Sequence, residues 1–344
     1  MISRALVVAS VLSVLALGAG VAGAQTAFEP PRLPDGKPDL QGVWDFRTLT
    51  PLQRPEDQAD KAVLAEEEAS EVEAAAAARD AAANAPSEDR EATLPVGGNV
   101  GAYNAFWTDQ GASVVDDRRT SLIVDPPSGR VPPLQPGQVR QVLSLAEDLG
   151  GPPPVRVRAA GRGTDSYEDR GLAERCILGF NSGPPIVPVG YNQNIQIVQT
   201  SDHVVIFHEM VHDARIVPLD GRDHLPENIR QWMGDPRGYW DGDTLVIEST
   251  NFTAKTASFN PSIAEAAGNG TTLHLTERFR LVAEDTLQYE FTVNDLETFT
   301  SPFTAVLPMK RGDVMYEFAC HEGNYGLHNI LAGARAQEKE ADQQ

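Results

Sequence analysis

His208-Glu209-Met210-Val211-His212 is the stretch of this chain that most invites a chemical reading. Two histidines one helical turn apart converge on a zinc ion, and the glutamate between them serves as general base. The surroundings oppose that geometry. Val204-Val205-Ile206-Phe207 and Ile216-Val217-Pro218 flank the motif with apolar, β-branched residues, and Ser201-Asp202 reads as a hairpin turn. On one continuous strand from His203 to Val217, residues four apart are separated by about 13 Å and cannot share a metal. A zinc-dependent hydrolase is therefore the lesser alternative, and no metal or other cofactor is expected.

Strand placement makes a different prediction. Val205, Phe207, Glu209, Val211, Asp213 and Arg215 would share one face, and Val204, Ile206, His208, Met210, His212 and Ala214 the other. Both faces carry apolar residues, so the strand should be covered on both sides. Ionisable groups there must be paired or used. The bland alternative is a structural ion pair between Arg215 or a neighbouring arginine and Glu209 or Asp213.

A second set follows the apolar run Val314–Ala319. In Cys320-His321-Glu322-Gly323-Asn324-Tyr325, His321 beside Glu322 suits an acid–base pair, and Gly323 permits a tight presenting turn. A rim turn carrying a surface histidine explains the same residues. Arginines and aromatics supply the ligand-binding candidates: Arg118 and Arg119, then Arg230, Trp232, Tyr239 and Trp240, with Tyr325. Stacking and cation–π contact suit them to an amphipathic or sugar-like ligand, as they would suit a loop packed over a barrel end.

The N-terminus bears on where this chemistry would run. Arg4, the apolar run Ala5–Leu17 and Ala22-Gly23-Ala24 form a secretory signal with a small-x-small exit, predicting cleavage after Ala24 and a periplasmic or secreted protein. The apolar run is shorter than the ~20 residues a membrane span needs. Cleavage removes one cation, Arg4, and no acid, so the net charge moves from −21 to −22. Such acidity disfavours nucleic acid and anionic membrane surfaces as partners and leaves small molecules. Two cysteines, Cys176 and Cys320, in an oxidising compartment predict one disulfide, with two buried thiols as the alternative.

The elements that must position these groups are mainly strands. Gly42-Val43-Trp44 has the Gly-x-Trp form of a lipocalin first strand, and a plain strand with a core tryptophan explains it equally well. Glu56–Ala83, rich in Ala and Glu, predicts one long exposed helix, and Gln135–Leu149 a short one. Hairpins are expected around Ser201-Asp202, Ala283-Glu284-Asp285 and Lys310-Arg311-Gly312-Asp313, the last pairing Phe303–Met309 with Val314–Ala319, and Trp240–Thr250 holds a turn followed by an alternating strand. Together they predict an antiparallel meander forming a lipocalin-like barrel, a single β-rich domain over 25–335, with a disordered tail at 336–344. There is no dinucleotide fingerprint, phosphate loop or nucleophile elbow.

Several of these pieces resemble a family of exported bacterial β-rich proteins. They are Asp39-Leu40-Gln41-Gly42-Val43-Trp44, Thr120-Ser121-Leu122-Ile123-Val124-Asp125-Pro126-Pro127, Pro218-Leu219-Asp220-Gly221-Arg222, Gly242-Asp243-Thr244-Leu245-Val246 and Cys320-His321-Glu322-Gly323-Asn324-Tyr325. The resemblance spans most of the mature chain and implies export and a β architecture; it brings no catalytic residues with it. From the residues themselves, the expected function is metal-independent acid–base catalysis, by a lyase, isomerase or hydrolase, on a small organic or carbohydrate-like substrate. His212, Asp213 and His321 would transfer protons, Glu209 or Glu322 assist, and Arg215 stabilise negative charge. The alternative is a lipocalin-like carrier of an apolar small molecule.

Overall fold

Period-2 alternation dominates the C-terminal half and closes it into a barrel. The computed structural model describes residues 28–85, 111–142, 155–159, 163–322 and 324–343; the signal segment expected at 1–24 lies outside them. The strands are β1 (Gly42–Asp45), β2 (Ile123–Asp125), β3 (Gln141–Val142), β4 (Asn194–Gln199), β5 (His203–His208), β6 (Ala214–Pro218), β7 (Asp235–Asp241) and β8 (Thr244–Thr250). There follow β9 (Phe259–Ser262), β10 (Glu265–Ala267), β11 (His274–Ala283), β12 (Thr286–Asn294) and β13 (Phe303–Arg311). Helices α1 (Glu66–Ala83) and α2 (Tyr325–Ala341) flank this β body.

Nine strands follow the order β6-β5-β4-β1-β13-β12-β11-β8-β7, with β2 added to β13 and a separate sheet β3-β10-β9. Every pairing between these strands is antiparallel. The result is a mainly β, nearly closed barrel. Its two end strands, β6 and β7, meet without a hydrogen-bonded ladder. There Gly238 lets β7 approach β6 closely, since a Cβ would stand 2.6 Å from a Leu219 methyl and 2.8 Å from one of Val217.

Inward alternation packs the lumen with aromatic side chains. Phe279 stacks on Tyr289 at 4.8 Å between centroids, and Phe259 meets Phe303 edge-on at 4.9 Å. Trp44, fully buried on the first strand, donates its indole N–H to Leu40 O at 2.9 Å, and the Arg311 guanidinium lies 3.9 Å from its ring centre. Gly42, at φ +127°, leaves room for that arginine, because a Cβ there would lie 2.2 Å from its Nη1.

Five expectations change. The helix begins at Glu66 rather than Glu56, because Val63 bridges Arg119 and the Leu64 N–H bonds Arg118 O at 2.8 Å, spending this backbone on tertiary pairing. The 203–217 segment is two strands around a turn rather than one strand. Val314–Ala319 does not pair with β13, and Gln141–Val142 is a strand rather than part of a helix. The polar C-terminus, expected to be disordered from 336, continues α2 to Ala341.

Candidate functional site

The turn between β5 and β6 decides which ionisable groups meet. Phe207 pairs with Ala214 and Ile206 with Arg215, so the chain reverses over His208 to Asp213. It does so without glycine: Val211 and His212 take φ of 62° and 46°, left-handed conformations that cost a β-branched residue about 1–3 kcal/mol. The two-face assignment made for a single strand therefore fails. His208 and Arg215, predicted on opposite faces, both point into the lumen, 1% and 2% exposed.

Inside, Arg215 pairs with the fully buried Glu277, which also accepts the Tyr289 hydroxyl at 2.7 Å. Tyr289 in turn accepts the Ile186 N–H at 3.0 Å. Burial and the neighbouring Glu277 hold the Tyr289 phenol well above its ordinary pKa. Burial, with Arg215 and Arg158 nearby, keeps the His208 imidazole neutral, and neither ring nitrogen has a hydrogen-bond partner. Arg215 thus stands apart from the other predicted catalytic residues, since it faces Glu277 inside the lumen.

The other members converge on the far side of the wall. Residues 312–320 leave β13 as an irregular strap over the outer face of β1, β4 and β5. Gly312 N–H bonds Val43 O at 2.9 Å, and Tyr316 N–H bonds Glu209 Oε1 at 3.1 Å. His212 Nδ1 bonds Phe318 O at 2.9 Å, and a Cys176–Cys320 disulfide pins the far end. That crosslink is the one expected from the cysteine count. It sets His321 beside His212, the ring centroids 5.7 Å apart.

His212 donates from Nδ1 to a carbonyl, which leaves Nε2 as the basic nitrogen. Glu209 is buried and also accepts the Asn194 side-chain amide at 2.7 Å. Behind them, burial pushes the Asp213 carboxyl up to about 6 against the pull of His212 and Arg158, and its Oδ2 has no partner. Arg158, buried, is itself pushed down to about 10.

Two cavities lie beneath the strap and share Glu209, Tyr316 and Glu317. The larger, about 780 Å³, runs along Asp45, Arg47, Asn192, Asn194, Arg311 and Phe318; the smaller, about 410 Å³, reaches His212, Gln196 and Phe207. Carboxylates, amides and aromatic faces alternate along this groove.

The remaining candidates scatter. Glu322 is exposed beside His321, and Tyr325 is 73% exposed at the start of α2. Arg118 and Arg119 donate to Leu64 O and Val306 O, fastening their own segment. Trp240 packs on the core and Tyr239 stands outside it, whereas Arg230 and Trp232 line a separate cleft between β6 and β7. Sequence reasoning missed Glu277, although its place in Leu275-x-Glu277-x-Phe279 marked it as an inward carboxylate. Nothing local flagged Asn194, Gln196 or Tyr316.

No protein family profile matches the chain, and no curated protein matches it. Among solved structures, a mutant of the fluorescent protein UnaG aligns at 14% identity over 35% of this chain and 72% of its own, with a TM-score of 0.22. That overlap bears no functional weight. For zinc, the helix that the His208/His212 reading needs is replaced by a strand end and a turn. Among the described residues no group of three His, Cys, Asp or Glu side chains is placed to hold a metal ion. No helix among them is long and apolar enough to cross a membrane.

Proposed function

We propose that this chain is an acid–base enzyme whose active site is the groove under the strap and whose substrate is carbohydrate-like. The observation that carries the reading is the strained turn at Val211-His212. It sets His212, whose Nδ1 donates to Phe318 O, on a cavity shared with the buried carboxylate of Glu209. Strain of this kind persists where surrounding structure over-determines it, and it clusters at sites that do chemistry. A hydroxyl-rich substrate matches the alternation of amides, carboxylates and aromatic rings, which offers donors, acceptors and stacking faces together.

In this reading Nε2 of His212 takes a proton from water or from substrate, and Glu209 orients the reacting group. His321 flanks the reacting centre. Asp213 acts through its neighbours as a positioning residue. Hydrolysis leads, with elimination and isomerisation sharing the same proton transfers. The disulfide and the N-terminal signal support action in the periplasm or outside the cell.

One observation favours a second reading. Glu209 and His212 both hydrogen-bond the strap backbone, which accounts for them as fasteners of a binding groove without chemistry. A lumen packed with aromatics directs such a carrier to the outer clefts. Release of nitrophenolate from a panel of 4-nitrophenyl glycosides separates the two. Turnover that falls about 10²–10⁴-fold in His212→Gln supports the enzyme. Glycoside binding with no turnover, or turnover indifferent to His212→Gln, sinks it.

A further inference from the structure

The unladdered seam between β6 and β7 opens into a cleft of about 660 Å³, within the size range of pockets that take small organic molecules. Its apolar part is made by Ile216, Trp232 and Met233, with Ile216 59% exposed although it lies on a barrel strand. Its polar part is cationic: Arg222, Arg230 and Arg237 line it against a single acid, Asp235, while the Arg215 side chain turns into the lumen. On a chain of net charge −21 this is a local inversion of sign.

The arginines are not equivalent. Arg222 is held by Asp220, Arg237 by Asp235 and Arg215 by Glu277. Arg230 differs. Its bonds, to Phe252 O at 3.1 Å and Thr271 O at 3.3 Å, both leave from Nη1 and go to neutral carbonyls. Among the described residues no carboxylate pairs with it. An apolar wall and a guanidinium without a carboxylate partner together describe a receptor for an anionic group carried on an apolar body.

We propose that the β6–β7 cleft binds an amphipathic organic anion, its carboxylate on Arg230 and its apolar body against Trp232 and Met233. The anion replaces the partner that Arg230 lacks, and the indole stacks on a planar ligand. This site is separate from the strap groove and does not depend on the catalytic reading.

Calorimetric titration of the mature chain with naphthalene-2-carboxylate and with naphthalene-2-carboxamide tests it. The carboxylate should bind about tenfold or more tightly than the neutral amide, the worth of one charge-assisted hydrogen-bonded contact. Arg230→Gln should erase that preference without weakening carboxamide binding, and Arg230→Lys should keep most of it. Trp232→Ala should weaken both probes, and His212→Gln neither. Equal affinity for the two probes, no binding of the carboxylate at millimolar concentration, or a preference that survives Arg230→Gln overturns the proposal.

Discussion

The strap groove and the seam cleft flank the same three-strand stretch β4-β5-β6, yet they are built by opposite means. In the groove the carboxylates Asp45, Glu209, Asp313 and Glu317 outnumber Arg47 and Arg311, and an irregular segment forms one wall. In the cleft Arg222, Arg230 and Arg237 face one aspartate, and both walls are edge strands with their connecting loop. The groove's outer wall is tied by a crosslink between residues 144 apart in sequence. The cleft is held by short-range contacts, such as Asp235 accepting the Leu225 N–H at 2.8 Å and bonding Arg237 at 2.6 Å. A strongly acidic chain can thus segregate charge into two chemically opposed sites, one relying on a covalent tether and the other on local geometry.

The largest effect should come from that tether. Replacing both cysteines, Cys176→Ser with Cys320→Ser, should cost about 3–5 kcal/mol in urea unfolding, since the bond closes a loop of 144 residues. Glycoside turnover should disappear as the strap lifts, while naphthalene-2-carboxylate affinity stays. Loss of both would break the comparison and make the two sites one unit. Glu277→Leu comes next. It strands a buried guanidinium and should cost about 3–5 kcal/mol, whereas Glu277→Leu with Arg215→Met should recover to within ~1–2 kcal/mol of wild type. A double variant as unstable as the single would mean that the pair serves more than its own neutralisation.

A smaller effect separates the sites by pH. The Asp213 carboxyl is raised from 3.8 to about 6 in the folded chain, so between these values the folded state holds the extra proton. Stability should therefore fall as pH rises from about 4 to 6 and stay lower above it, by about 1–2 kcal/mol after allowing for partial solvent screening. Asp213→Asn should flatten that slope in urea titrations at pH 4.5 and 7; an unchanged slope would place the titrating group elsewhere. The smallest effect belongs to the exposed Asp220, whose carboxyl the bonded Arg222 draws down to about 2. Asp220→Asn should leave the unfolding midpoint unchanged and tighten carboxylate binding in the cleft about two-fold or less, by releasing Arg222. A shift in the midpoint would show that this pair braces the seam.

Where two alternating runs met at a polar turn, as at Ser201-Asp202 and Ala283-Glu284-Asp285, the hairpins were legible from residue order; at Gly242-Asp243 the turn and the strand after it were, and the pairing with β7 was not. So was the Cys176–Cys320 bond, because only two cysteines were available. The turn at 208–213 was hidden for the converse reason. Glu209-Met210-Val211-His212 contains none of the residues that favour turns, and its left-handed pair is imposed by the structure around it against local propensity. Reading through it as a strand put Arg215 beside Asp213, when one hairpin later it stands with His208 inside the lumen.

The strap deceived in the same way. Val314-Met315-Tyr316-Glu317-Phe318 has strand composition, but its ends are committed elsewhere: to Val43 at Gly312, and to Cys176 at Cys320. Alternation and turn residues act between neighbours, so the sequence by itself determined a mainly antiparallel barrel, a first-strand tryptophan, the crosslink and a short roster of ionisable residues. Which of those residues meet was decided by contacts between positions far apart in the chain, 62 for Arg215 and Glu277 and 106 or 107 for the strap bonds of His212 and Glu209. Glu209 and His212 joined the strap, Arg215 paired with Glu277 instead, and Arg230 was left at a seam that exists only because β6 and β7 close the barrel without bonding.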